Sequence, residues 1–316
     1  MFSFALRRTL DLLTVLFGVS VLVFLMLRFI PGDAVEIMLG ANTEITPERM
    51  NALREKLGLT KPLLAQYWDW LTGALRGNLG QSIWTGAPVR EEILARLPLT
   101  LEITLLSLII SVSLSIPIGI LTAYWRGSAA EYCIRLLAII GITLPSFWVG
   151  TLLIFLVFRL FPQFPSIGYV PFSQDPGGHI SRMVLPVFTV SLYMLAALSR
   201  LLRSSVLEIL SLDYIRTARA KGLSERIILY RHALRNALIP LVTAIGIQVG
   251  YLFGGSIVIE QVFALPGMGR LIVGAINDRN YPLVQGSILL VTAAFVVINL
   301  VIDMVYAKLD PRVEYQ

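Results

Sequence analysis

Charge is scarce in this chain. Asp, Glu, Lys and Arg make up 15% of its 316 residues while 56% are hydrophobic, and the mean hydropathy is +0.76. That excludes an ordinary soluble domain, in which about a quarter of residues are charged. Cysteine is almost missing too: Cys133 stands alone, so no intrachain disulfide can form. With only His179 and His232, no cluster has metal-ligand spacing, and no metal site is expected. The chain has no Gly-x-x-x-x-Gly-Lys-Ser/Thr loop to cradle nucleotide phosphates, so it is not expected to hydrolyse ATP by itself. It also lacks a Gly-x-Ser-x-Gly elbow and a His-Glu-x-x-His pair. Ser111, Ser113 and Ser115 lie in an apolar run with no histidine or lysine at that depth, and they read as packing or back-bonding hydroxyls. No catalytic residue is expected. The net charge of +6 sits in loops and at the ends of apolar runs, without any RNA-binding or zinc-finger pattern, so no nucleic acid partner is expected.

What is present is length of apolar run. A helix crossing the hydrocarbon needs about 20 mostly apolar residues, and six segments qualify: Thr9 to Ile30, Leu99 to Trp125, Leu136 to Phe161, Met183 to Ser199, Ala237 to Val262 and Gly286 to Ala307. The first has the outline of a secretory signal, but Arg28-Phe29-Ile30-Pro31 follows it where a small-x-small cleavage site would stand, so it reads as a retained span. Backbone groups in lipid must be satisfied within the segment, and no two-residue alternation suggests barrel strands. The fold class expected is therefore an all-α membrane protein with six transmembrane helices. If the spans alternate, Arg7 and Arg8, Arg126, the basic cluster of Arg200 to Arg235, and Lys308 with Arg312 share one side. By the positive-inside rule that side is cytoplasmic, which places both termini there.

The sequence divides into a first span over 1–30, an external region over 31–98, and a core membrane domain over 99–316. The external region carries seven Lys/Arg against eight Asp/Glu. Thr46-Pro47-Glu48 predicts a helix start with proline at its first position, and Gly58 its end. Leu64, Tyr67, Trp68 and Leu71 then fall on one side at helical spacing. This second stretch either packs on the first span or lies in the interface with Trp68 and Trp70 at headgroup depth.

The segment between the fourth and fifth spans, about 203–236, is of a different kind. Arg200 to Arg235 holds eight of the chain's 26 Lys and Arg residues. Taken as a helix, Asp213 to Gly222 puts Tyr214, Thr217 or Ala218, and Lys221 on one face, with Ala218 and Ala220 keeping part of the surface small. Gly222 can adopt the left-handed conformation that ends a helix. This is the form of a handle gripped by another protein, although any cytoplasmic loop of a membrane protein is basic.

Here the chain resembles the permease subunits of ATP-binding-cassette importers, specifically the dipeptide, oligopeptide and nickel branch. The segment is similar to their coupling-helix EAA motif, with Arg216-Thr217-Ala218 for the triplet and Gly222 for its glycine. Arg216 for the acid and Arg235 for the proline depart from the general motif. They match the branch's own version, Arg-Thr-Ala-Arg-Ala-Lys-Gly with His232-Ala-Leu-Arg-Asn-Ala-Leu-Ile-Pro240 after it. Other stretches of the branch follow in order: Arg28 to Asp33, Leu57 to Leu63, Arg96-Leu97-Pro98, Pro145-Ser146-Phe147-Trp148, Glu260 to Arg270, and Asp310-Pro311-Arg312.

The resemblance implies a permease of the bacterial inner membrane that forms the path for di- or oligopeptides. Nickel, glutathione or another small solute are alternatives. It further implies a homologous second permease subunit, two ATP-binding cassette subunits that hydrolyse ATP with magnesium, and an external solute-binding protein, the chain itself holding no cofactor. Tyr214, Arg216, Thr217, Ala218, Arg219, Ala220, Lys221 and Gly222 would form the ATPase-coupling element. A secondary transporter is the reading from a different class, but neither inverted halves nor a chain of buried carboxylates supports it.

Within the spans, Gln248 and Asn299 are polar, and Glu102, Glu260 and Asp303 are ionisable near span ends. Such groups face a cavity or a partner helix, and Gln248, Glu260 and Asn299 are the candidates for a translocation path. Gly246, Gly250 and Gly254 recur every four residues and form a ridge for close helix packing, within this chain or against the paired subunit. Pro117, Pro145 and Pro186 should kink their helices.

Overall fold

A computed structural model describes residues 2–29, 55 and 60–309. The expected helix from Thr46 to Gly58 and the Asp310-Pro311-Arg312 stretch lie outside the described residues, apart from Glu55. The described chain is helical. Its elements are α1 (Phe2–Phe29), α2 (Leu63–Leu75), α3 (Val89–Tyr124), α4 (Ala129–Thr143), α5 (Ser146–Leu160), α6 (Pro176–Leu210), α7 (Asp213–Ala220) and α8 (Glu225–Ile227), followed by a π-helical turn (Ile228–Ala233), α9 (Leu234–Val262), α10 (Met268–Asn277) and α11 (Tyr281–Leu309).

Five of these helices are long and apolar enough to cross a membrane, and α4 with α5 makes a sixth span only if the bent pair is counted as one. The straight third span expected over Leu136 to Phe161 is thus corrected: the two helices meet at 112°. Pro145 is the cause. It has no N–H to continue the ladder, and its ring pushes the preceding residue out of the helical region. Leu144 accordingly sits at φ −78°, ψ 134°, extended. Pro117, Pro186 and Pro240 each lie within one assigned helix.

The residues group into two compact units, one of Thr100–Leu265 with Ile298 onward, the other of Phe2–Leu99 with Pro266–Val297. The division after Leu99 lies one residue from the boundary placed at 98, but Pro266–Val297 groups with the N-terminal part and not with the core domain expected over 99–316. Residues 266–297 belong with the N-terminal part because their apolar side chains share a buried core with residues 79–93. Leu79, Val89, Ile93, Met268, Leu271, Leu283 and Val284 form that core. Gly286 lets it close: a Cβ there would come 2.7 Å from Val89 Cγ1. Asn280 ties the 76–88 loop to the same unit, donating to Ser82 Oγ at 2.8 Å and accepting from the Ile83 N–H at 3.2 Å. The Trp84 indole donates to the Asp278 carbonyl at 2.8 Å.

In the other unit α6 is the central helix. Val187, Val190, Met194, Leu198, Leu202 and Val206 recur every three or four residues, and all are buried. Lipid is as apolar as leucine, so tight packing and hydrogen bonds hold such helices together more than the hydrophobic effect does. Three glycines give close approach to neighbouring side chains: Gly119 against Leu202, Gly141 against Ala196 and Gly150 against Phe263. Ser107 and Ser111 of α3 donate across to the α6 carbonyls of Val187 (3.1 Å) and Ser191 (2.9 Å), while Ser115 bonds back to Val112 within α3. At 35 residues α6 is about 52 Å long, well over the roughly 30 Å of a bilayer core. The surplus turns run out from Arg200 and carry α7.

Candidate functional site: the α7 handle and the cavity at the helix break

Helix α7 forms where the sequence predicts. Asp213 supplies an acid in its first turn and Arg219 a base in its last, both in the favourable sense for the helix dipole. Its C-terminus is a Schellman closure. The Leu223 N–H donates to the Ala218 carbonyl (3.3 Å) and the Gly222 N–H to the Arg219 carbonyl (2.9 Å). Gly222 has φ +78°, the left-handed conformation this closure requires.

Two residues fix α7 to the body. Ile215 is fully buried and Ala218 nearly so, packed with Ile228 of the π-helical turn and with Ile209, Leu210 and Leu223 around them. That corrects one expectation: Ala218 is an anchor and does not belong to the outer face. At 100° per residue, the side opposite Ile215 and Ala218 carries Asp213, Thr217 and Ala220, flanked by Tyr214, Arg216 and Lys221. All six are exposed. The outer face is therefore small at its centre and basic at its rim.

Polar contacts hold the rim in place. Arg216 Nη1 lies 3.2 Å from Asp213 Oδ1, and Tyr214 Oη accepts from Asn236 Nδ2 at 3.1 Å. Arg219 forks onto Glu225 at 2.7 and 3.3 Å, which raises its already high proton affinity and keeps it charged. Neither Ile215 nor Asn236 was singled out by the sequence. The signal for Ile215 was there, as the one large apolar side chain in a polar helix.

At the break between α4 and α5 lies a cavity of about 480 Å³. Thr143, Pro145 and Ser146 come from the break, Tyr193 from α6, and Gln248 and Tyr251 from α9. Among the described residues no Asp, Glu, Lys or Arg lines it. The Oε1 of Gln248 is buried with no hydrogen-bond partner among the described residues. Tyr193 and Tyr251 approach to 6.0 Å between ring centroids.

The structure separates the three path candidates. Gln248 lines the cavity, while Glu260 and Asn299 do not. Glu260 is fully buried and accepts the Thr100 hydroxyl at 2.6 Å. Asn299 is half-buried on α11. The glycine ridge divides as well. Gly250 and Gly254 line the cavity, and a Cβ on Gly254 would meet nothing within 4 Å. Gly246 has a neighbour, with Ile302 Cγ2 3.5 Å from where its Cβ would be. Gly119, Gly141 and Gly150, which do meet side chains of neighbouring helices, are spread over three helices with no common spacing.

Two polar clusters went unread in the sequence. His179 is buried with Nδ1 2.8 Å from the Val170 carbonyl and Nε2 2.7 Å from Glu102 Oε1, so it ties the loop before α6 to α3. The rings of Tyr169 and Phe172 meet it edge-on. Burial, and then the Glu102 charge, push the Tyr169 phenol above its ordinary range. Near Arg126, Glu131 accepts the Gly127 N–H at 2.6 Å and pairs with Arg203 of α6. Both clusters join residues more than 70 positions apart, where no local spacing reveals them.

Two family models cover the chain. Residues 115–315 match the binding-protein-dependent transport system inner membrane component, and residues 1–104 match the N-terminal component of the same systems. A protein of Brucella suis biovar 1 named "Putative peptide transport system permease protein" is 40% identical over 315 residues, covering 100% of both chains. The glutathione transport system permease protein of Escherichia coli K12 is 39% identical over 317 residues, again covering 100% of both. A "Probable peptide ABC transporter permease protein" of Sinorhizobium fredii is 37% identical over 312 residues and 99% of each chain. Multi-pass, apolar and matched from end to end, the chain belongs to the binding-protein-dependent transport system inner membrane components, the permease subunits of ABC importers of the peptide branch in the bacterial inner membrane.

Proposed function

We propose that this chain is one of two permease subunits that together form the passage for di- or oligopeptides, with both termini in the cytoplasm. Two ATP-binding subunits grip the α7 handles and hydrolyse ATP with magnesium, while an external solute-binding protein delivers the substrate. This chain contributes no catalytic group. The observation that carries the reading is the build of α7: a short helix clamped by Ile215 and Ala218, with its small outer face of Asp213, Thr217 and Ala220 turned to solvent. A partner can approach that face closely, and force on it passes directly into the end of α6. Each ligand shifts the conformational balance only as far as it prefers one state, and α7 is where nucleotide state would bias the spans.

In this reading the uncharged cavity is part of the passage. It suits a substrate held through neutral groups, with Gln248 Oε1 free to accept from a peptide N–H. Glutathione is a peptide in its chemistry and is the second reading, favoured by the Escherichia coli relative's name.

The test is to purify the chain with its neighbours and measure ATP turnover with loaded binding protein. Ala220→Trp fills the outer face without touching the anchors, so it should leave the permease folded while stimulated turnover is lost. Unchanged coupling in that variant would sink the proposed docking site. Uptake by this chain alone without nucleotide would favour a secondary transporter. For substrate, the measurement is which of a dipeptide, an oligopeptide, glutathione or nickel raises the melting temperature of the cognate binding protein.

A further inference from the structure

Helix α2 has three sides. One faces α1 and the interior: Tyr67 is buried, its hydroxyl 2.8 Å from Ser20 Oγ and its ring 5.3 Å from that of Phe24. Trp70 joins this side, its ring 6.2 Å from that of Phe24. The second side is polar, with Asp69 paired to Lys61 at 2.5 Å and Thr72 exposed beside them. The third carries Leu64, Trp68 and Leu75, which are 73%, 50% and 80% exposed.

One exposed leucine needs no explanation. An apolar stripe beside a membrane span does, because the span fixes its depth. In the sequence the uninterrupted apolar end of α1 reaches Leu27, before Arg28. Ser20 is seven residues inside that end, about 10 Å at 1.5 Å per residue. Amphipathic helices lying in an interface bury their apolar face about 5–10 Å deep. On α1 itself Leu13, Phe17, Leu22 and Met26 are exposed as well.

We propose that α2 lies in the outer leaflet with Leu64, Trp68 and Leu75 among acyl chains, while Lys61, Asp69 and Thr72 stay at the water boundary. The occupant of the third side is lipid. The tyrosine–serine contact holds α2 at this depth, so the external region is anchored to the membrane beside the first span as well as through it. The choice of leaflet rests on the cytoplasmic N-terminus proposed above.

The test uses the assembled transporter in proteoliposomes. Cys133→Ser removes the native thiol, and nitroxide labels are placed one at a time through Leu64→Cys, Trp68→Cys, Thr72→Cys and Leu75→Cys. Collisions with oxygen should exceed those with a water-soluble nickel chelate at 64, 68 and 75, with the order reversed at 72. Nickel-chelate access at all four positions would overturn the proposal, as would exclusion of both probes from 64, 68 and 75, the sign of a protein partner. A membrane-impermeant thiol reagent applied to unlabelled Thr72→Cys separates the two readings. Reaction only from the ATPase side, with the oxygen pattern retained, would reverse the topology and leave α2 in lipid.

Discussion

Gly222 gives the sharpest test of how the α7 handle is held. Its φ of +78° costs an L-residue roughly 1–2 kcal/mol. A Cβ built there meets nothing within 4 Å, so crowding adds nothing to that cost. Gly222→Ala should therefore destabilise the closure by about 1–2 kcal/mol, all of it from the backbone. Gly222→Asn should cost less, because asparagine visits this region, and Gly222→Val more, because β-branched residues are outliers there. An eight-residue helix cannot hold itself in water, so the loss falls on the Leu223-to-Ala218 and Gly222-to-Arg219 bonds. The ratio of closed to frayed ends should drop about 5- to 30-fold in Gly222→Ala. Amide hydrogen exchange at residues 222 and 223 in the assembled transporter reads this directly, and stimulated ATP turnover reads its consequence. Protection should fall in the order wild type, Asn, Ala, Val. Wild-type protection in both Ala and Val would refute the argument from backbone conformation.

Other substitutions test other parts. Gly119→Ala places a Cβ 2.9 Å from that of Leu202, and overpacking of this kind should lower stability by about 1–3 kcal/mol in a detergent melt. His179→Phe removes the two ring nitrogens that contact the Val170 carbonyl and Glu102, at about 1–3 kcal/mol, and limited proteolysis should then cut the 162–175 loop faster. Asn280→Ala frees Ser82 and the Ile83 N–H, which should raise hydrogen exchange across residues 81–85 with little change in the helices around the cavity. Gln248→Leu deletes an unpartnered buried oxygen, so the melting temperature should hold or rise while substrate uptake falls; a fall in both would make Gln248 a structural residue.

Local signals in the sequence carry much of this protein. Six apolar stretches, a Schellman glycine and a polar helix with a single large apolar residue predict the spans and α7 because each depends on neighbours within one or two turns. Pro145 carries the break in the third span, and local sequence predicts only a kink there. What separates a kink from a 112° turn is whether packing rewards the straight form, and that lies outside the local sequence. Ala218 shows the same limit. Spacing left it on either of two faces, and the buried cluster of Ile215 and Ile228 decided which.

The sequence by itself determined that the chain is a helical membrane protein, where five of its spans lie, and that the Arg200–Arg235 segment carries a handle ended by Gly222. These rest on hydropathy and backbone preference, which act over a few residues. Only the tertiary structure decided which side of α7 faces outward, that Gln248 lines a cavity while Glu260 is packed against Thr100, and which glycines admit close neighbours. Those outcomes depend on contacts between residues far apart in the chain, such as Glu102 with His179 and Gly119 with Leu202. The side that a polar residue or a glycine presents is settled by what packs against it, and no spacing along one helix records that.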